Sequence, residues 1–449
     1  MGSASVCCLN LAEEGKRQMQ GTKEKGGSPM SERESITPEQ LAIYTELVKE
    51  KRELRKKGSK GSLFFLLICF VFGGCLGGAA VFLMETGAEV IKIPAPFRVK
   101  DGLELLYVFA GILWFYLMSM IHVIIHEAGH LVFGLLTGYD FLSFRVLSFT
   151  LVKRDGKIIR KKLKVKGIPG QCLMAPPEWK EDGRYPYAWY NLGGGVLNLI
   201  TSLLAALLFL THSPLVGWAA GIFIFTGVIL GITNIIPMSM GVPNDGKNCL
   251  LCKQARANQR AFYLQLKMNA MMSDGVSVKD MPEEFFVMSS EMPLNALTCF
   301  VGLMKYYRQL QMGEFVQAKE WLEAMLQQAG KLPLAFLNTF DLEKVYCMLR
   351  EDAPLEEVAA TRAVLMPVFM QNKDMSILRV KYAYCALLTE EERELIDWLV
   401  YSKKGKLPKK LPKSKPETAE QLYEDMEKAL AKHPVIGEAQ MYLDLAKNL

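Results

Sequence analysis

His126-Glu127-Ala128-Gly129-His130 places two imidazoles four residues apart with a carboxylate between them. On a helix, positions four apart share one face and lie about 6 Å apart along the axis. Both rings can then close on one metal ion while the carboxylate points at water bound to it. Zinc lowers the pKa of such a water from about 15.7 to about 7, and a carboxylate can take its proton as it attacks a peptide carbonyl. His126, Glu127 and His130 therefore read as one hydrolytic device, two ligands for Zn2+ and a general base. His122 stands one further turn back on the same face. About 12 Å of helix rise separates it from His130, too far for both to bind one ion on a straight helix. It reads as a group behind the ligands or lining a pore, or equally as a packed polar residue.

A catalytic zinc takes three protein ligands and keeps one position open, so a third donor must come from elsewhere in the chain. The expected donor is Asp245, in Pro243-Asn244-Asp245-Gly246, which follows Asn234-Ile235-Ile236-Pro237. An Asp before Gly also suits an ordinary Asx turn.

The elements that must position these groups are apolar. Half of the 449 residues are hydrophobic, unevenly spread: the first half is membrane-like and the second is not. Segments 62–84, 103–134, 189–210 and 215–237 are nearly free of charge and of the length a helix needs to cross a bilayer core. Ionisable groups inside such spans are costly and are functional by default, which strengthens the reading of His126, Glu127 and His130. Lys49, Lys51, Arg52, Arg55, Lys56, Lys57 and Lys60 precede the first span, and a second basic run, Lys153 to Lys166, lies between the second and third. The positive-inside rule then places both termini in the cytoplasm, and it brings the His pair and Asp245 to the same face of the membrane.

The formal net charge of +6 is a topology signal rather than a nucleic-acid patch, because the basic clusters flank spans and lack interleaved aromatics. Nucleic acid is not an expected partner. The ten cysteines give no disulfide framework, since Cys69 and Cys75 fall inside the first span and most others in segments assigned to a reducing compartment. Cys249-Leu250-Leu251-Cys252 has the spacing of a redox or metal pair, a weak signal when it stands alone. Cys7 and Cys8 follow Met1-Gly2, but Val6 stands where myristoylation requires Ser or Thr. Residues 1–37 have the composition of an unstructured leader, and Met30 is a candidate start.

The expected fold class is mainly α: a polytopic membrane bundle of four spans, with a cytoplasmic β-hairpin insertion and a cytoplasmic all-α array of helical hairpins. Thr37-Pro38-Glu39 opens a charged helix in a tail spanning 1–61, the membrane unit covers 62–250, and the array covers 251–449. Within the membrane unit, 140–170 alternates as strands around Arg154-Asp155-Gly156-Lys157, a hairpin turn whose unpaired strand edge suits addition of an extended peptide. In the array, Gly313 to Leu322 resembles the second helix of a tetratricopeptide repeat, although a period near 34 is not kept. Lys403 to Pro416 reads as a solvated basic loop, and the small residues Ala128, Gly129, Gly193, Gly194 and Gly195 as sites of close helix packing.

From about residue 103 to 246 the chain resembles the site-two protease family of intramembrane metalloproteases. The likeness rests on the His-Glu-Ala-Gly-His helix, the Gly194-Gly195-Val196-Leu197-Asn198 segment and the Asn-x-x-Pro motif followed by Asp-Gly. It implies zinc ligation by His126, His130 and Asp245, a general base at Glu127, and an Asn198 that helps hold substrate or the developing oxyanion. Gly195 replaces the family's usual proline, and residues 238–244 form a longer spacer before Asp245 than is usual. The expected function is zinc-dependent endoproteolysis of a membrane-anchored protein or peptide near the cytoplasmic face, with the lipid bilayer and a protein bound by the helical array as further partners. A plasma membrane of a bacterium is the expected location, with an organelle membrane left open. The alternative is a non-catalytic membrane scaffold that binds a partner through 251–449, although a scaffold has no need for a carboxylate between two ligands. Four spans without inverted repeats do not suit a transporter.

Overall fold

The computed structural model describes residues 35–58, 104–154, 156–162, 169–180, 185–239, 242–288, 293–371, 374–412, 417–433 and 435–449. The expected first span at 62–84, the leader with Cys7, Cys8 and Met30, and Asp155 of the expected turn lie outside them.

Three helices are long and apolar enough to cross a membrane among the described residues. They are α2 (Glu104–Leu136), α3 (Tyr187–Ala205, continued by a 3-10 turn to Thr211) and α4 (Pro214–Ile235). Pro214 occupies the first turn of α4, where a missing N–H costs nothing. The three pack against one another as a bundle. Their outer faces carry Leu113, Leu203, Leu210 and Leu215 at 68–74% exposure, an apolar surface suited to lipid chains rather than water.

The segment after α2 forms more sheet than the expected single hairpin. Four antiparallel strands lie in the order β3-β2-β1-β4: β1 (Asp140–Val146), β2 (Phe149–Arg154), β3 (Lys157–Lys162) and β4 (Gly170–Ala175). The β2–β3 turn has Gly156 at φ +73°, as the Asp-Gly pair implied. The tight β1–β2 connection holds Leu147 at φ +54°. β4 was hidden by its Pro-Gly start and brevity, yet Gly170, Cys172 and Met174 alternate inward along it and are buried. It lies on the far side of β1 from the β2–β3 hairpin and packs on α2.

The remaining helices are α1 (Pro38–Gly58), α5 (Asp245–Gln254), α6 (Arg256–Ser273), α7 (Ala296–Gln311), α8 (Phe315–Leu326), α9 (Leu334–Arg350), α10 (Leu355–Gln371), α11 (Met375–Leu387), α12 (Glu390–Val400), α13 (Ala419–Leu430) and α14 (Ile436–Lys447). Gly313, at φ +79°, makes the α7–α8 turn. From α6 to α10 each helix packs on the next; α10 then packs on α12, and α11 on α9, α13 and α14, before α14 returns to touch α6 and α7, so the array closes on itself. A buried Glu343–Arg379 ion pair joins α9 to α11; Tyr307 of α7 donates to Glu343 at 2.8 Å, and Tyr442 of α14 to Tyr307 at 3.4 Å. α1 belongs to this assembly as well: Thr37 and Gln40 cap it reciprocally, it packs on α10, and Lys51 and Arg55 both bind the buried Asp341 of α9. Those two cations, read from sequence as flanking charges, are thus tied to a carboxylate.

The array meets the membrane unit through α6. Phe262 and Tyr263 pack into an aromatic cluster with Tyr139, Tyr185, Tyr190 and Trp179, and Arg256 sits 4.2 Å over the Trp179 ring. Lys161 of β3 adds a hydrogen bond of 2.9 Å to the His433 carbonyl.

Candidate metal centre

α2 sets His126 against Gly194 of α3 and Asp245 of α5, His130 against the same Asp245, and Glu127 against Gly170 of β4. His126 Nε2 lies 3.1 Å from His130 Nε2 and 3.1 Å from Asp245 Oδ2, and His130 Nε2 lies 3.4 Å from the same Oδ2. Three donor atoms at nearly equal spacing are what a tetrahedral zinc requires: bonds of about 2.0–2.1 Å set its ligands about 3.3 Å apart. The two nitrogens and the carboxylate oxygen form the one such cluster found among the described residues, and their chemistry suits zinc. Burial alone would push the Asp245 carboxyl up, and the two imidazoles beside it outweigh burial and hold it below the usual carboxylate range.

Asp245 reaches this depth because the chain between α4 and α5 is fastened by the residue before it. Asn244 caps α5, accepting from the Lys247 N–H at 2.9 Å and the Met238 N–H at 3.0 Å. Its amide group donates to the carbonyls of Thr233 and Ile236 at 2.7 and 2.8 Å. One side chain thereby ties Thr233, Ile236, Met238 and Lys247 together and sets Asp245 as the first residue of the helix. Sequence reading passed over Asn244, although an Asn before an Asp-Gly helix start is a capping signal.

His130 is oriented from behind. Its Nδ1 lies 2.7 Å from the Tyr190 carbonyl, which only accepts, so Nδ1 carries the hydrogen and Nε2 faces the ligand cluster with its lone pair. Tyr190 is stacked on Tyr139 at 4.6 Å and packs against Phe262 of α6, which links the array to the backbone that holds this ligand. Glycines at the site have a role beyond helix packing. A Cβ on Gly194 would stand 2.6–2.7 Å from the His126 ring, and a Cβ on Gly170 would collide with the Glu127 carboxyl. Gly194 makes the slot for the His126 ring, and Gly170 brings the beginning of β4 over the Glu127 carboxyl. The closest strand to Glu127 is β4, which begins at the end of the segment expected as a hairpin, and β1 of that segment packs on α2 as well.

Asn198 and His122 are both fully buried. His122 Nδ1 lies 3.1 Å from Asn198 Oδ1, His122 Nε2 2.9 Å from the Phe223 carbonyl, and Asn198 Nδ2 3.5 Å from His126 Nδ1. His122 thus lines no pore; it sits behind the ligands, in space left by Gly227 on α4. Asn198 faces the rear of His126 rather than the ligand cluster. Arg145 of β1, absent from the sequence reading, is 2% exposed, and its charge and that of Glu127 attract. Cys252 is fully buried and Cys249 half-buried on α5, and burial pushes both thiols up, against a reactive pair and in favour of packing.

Comparison with known protein families, curated proteins and solved structures finds no match to this chain.

Proposed function

We propose that this chain is an intramembrane zinc endopeptidase of the site-two protease type, multi-pass in a plasma membrane with both termini cytoplasmic. The reading is carried by one observation: His126 and His130, on a helix of membrane-spanning length, converge with Asp245 of α5 at zinc spacing, with Glu127 between the two histidines in sequence. Zinc held there would supply Lewis acidity for attack of water on a peptide carbonyl. Glu127 takes a proton from the attacking water and delivers it to the departing amide nitrogen as the C–N bond breaks and the new C–O bond forms. The substrate is a membrane-anchored protein or peptide whose unwound segment lies beside β4, where Gly170 keeps the approach to Glu127 narrow. A fourth span at 62–84, between the basic end of α1 and α2, completes the topology that sets both termini on one side.

The test compares protein termini across the proteome of cells expressing the wild type or Glu127→Gln. New termini within or beside membrane-spanning segments, present only with the wild type, are expected. Identical termini in the two would leave the non-catalytic scaffold as the better reading.

A further inference from the structure

Each histidine ligand has a second nitrogen, and what that nitrogen bonds to decides which one keeps the hydrogen. For His130 the Tyr190 carbonyl settles this in one step. Among the described residues no carbonyl lies against His126 Nδ1; its neighbour is Asn198, whose amide can donate from one end or accept at the other.

The answer lies one residue deeper. The Phe223 carbonyl 2.9 Å from His122 Nε2 can only accept, so Nε2 carries a hydrogen. A doubly protonated ring, fully buried in an apolar bundle, is costly, and a neutral His122 has a bare Nδ1 that needs a donor. The group beside that nitrogen is the Asn198 amide, at 3.1 Å. The two ends of an amide are nearly isosteric, and a half-turn about its last torsion exchanges them. With NH2 toward His122, the oxygen faces His126 Nδ1 and accepts from it. His126 then holds its hydrogen on Nδ1 and presents a bare Nε2 beside Asp245 and His130, the form a metal ligand needs.

We propose that His122 and Asn198 are positioning residues that lock the tautomer of His126, a relay running from the Phe223 carbonyl through both side chains to the ligand. This rests on the metal-centre reading above and gives Asn198 a role behind the ligand. Asn198 becomes directional only because His122 is next to it, and His122 only because it is pinned to a backbone carbonyl. Gly227 is required by the same arrangement, since a side chain there would meet His122 Nε2 at 2.7 Å.

The test uses the full chain in detergent micelles, labelled with 15N-histidine, and its five histidines keep the spectra assignable. Long-range 1H–15N correlations read which nitrogen of His126 is protonated, and chelator competition reads zinc affinity. The wild type should show His126 protonated at Nδ1. His122→Leu, of similar size but unable to bond, should shift His126 toward the Nε2-protonated form and weaken zinc binding about 10–100-fold. His122→Gln should restore both readouts, because its oxygen accepts from Asn198 while its NH2 donates to Phe223. An unchanged His126 tautomer in His122→Leu would overturn the relay, and so would equal losses in the Leu and Gln variants, which would mark a packing role. A wild type that binds no zinc would defeat the metal reading alone, and the tautomer comparison would still decide the relay.

Discussion

Glu127 is a group whose removal should separate binding from chemistry. It lies beside the three donor atoms without being one of them, so Glu127→Gln keeps shape and loses only the proton acceptor. The variant should hold zinc as the wild type does and lose at least about 100-fold in peptide cleavage, the usual weight of a general base. Loss of zinc together with activity would show that Glu127 is structural. Gly170→Ala tests the crowding over that carboxyl from the other side. Its Cβ collides with Glu127, and overpacking of this kind commonly costs about 1–3 kcal/mol. Cleavage should fall about tenfold or more at unchanged zinc content, measured on the same preparations, and an unchanged rate would show that β4 does not confine the base.

At the scale of elements, the delivery of Asp245 depends on one cap. Asn244→Ala removes bonds to Thr233, Ile236, Met238 and Lys247 at once. A lost cap and unpaired backbone groups cost about 1–3 kcal/mol, so the loop should loosen and zinc affinity should drop by at least about tenfold, read by chelator competition. Equal affinity would place the control of Asp245 elsewhere. The cap also shows why the sequence disclosed parts of the site unequally. The helix motif of His126, Glu127 and His130 is visible because all three lie on one element at fixed spacing, and the three helices long enough to cross a membrane because their apolar runs are long. β4 was missed because six residues with small or neutral side chains make a weak strand pattern, and its pairing with β1 spans a gap in sequence. Asn198 was singled out only by the resemblance, and its 3.1 Å approach to His122 joins residues 76 apart that no local pattern links. The slots at Gly170, Gly194 and Gly227 depend on which side chain lies opposite, which no local pattern reveals.

Over the whole molecule, the array and the site are mechanically continuous. α14 closes the array onto α6, α6 packs on Tyr190, and the Tyr190 carbonyl holds His130. The array's own integrity turns on the buried Glu343–Arg379 pair. Removing either partner alone leaves an uncompensated buried charge, at a cost of about 3–5 kcal/mol, whereas replacing both by apolar residues is far less costly. Arg379→Met should therefore lower the thermal midpoint of the full chain in detergent markedly, and Glu343→Met combined with it should recover most of the loss. A double variant as unstable as the single one would contradict the pair's assignment. The central claim, that this chain carries a zinc centre, is tested most directly by elemental mass spectrometry of the purified full chain with His126→Ala, Asp245→Ala and Glu127→Gln beside the wild type. The predicted result is about one zinc per chain, kept in Glu127→Gln and lost in the other two; a wild type without zinc, or His126→Ala with as much as the wild type, would contradict it.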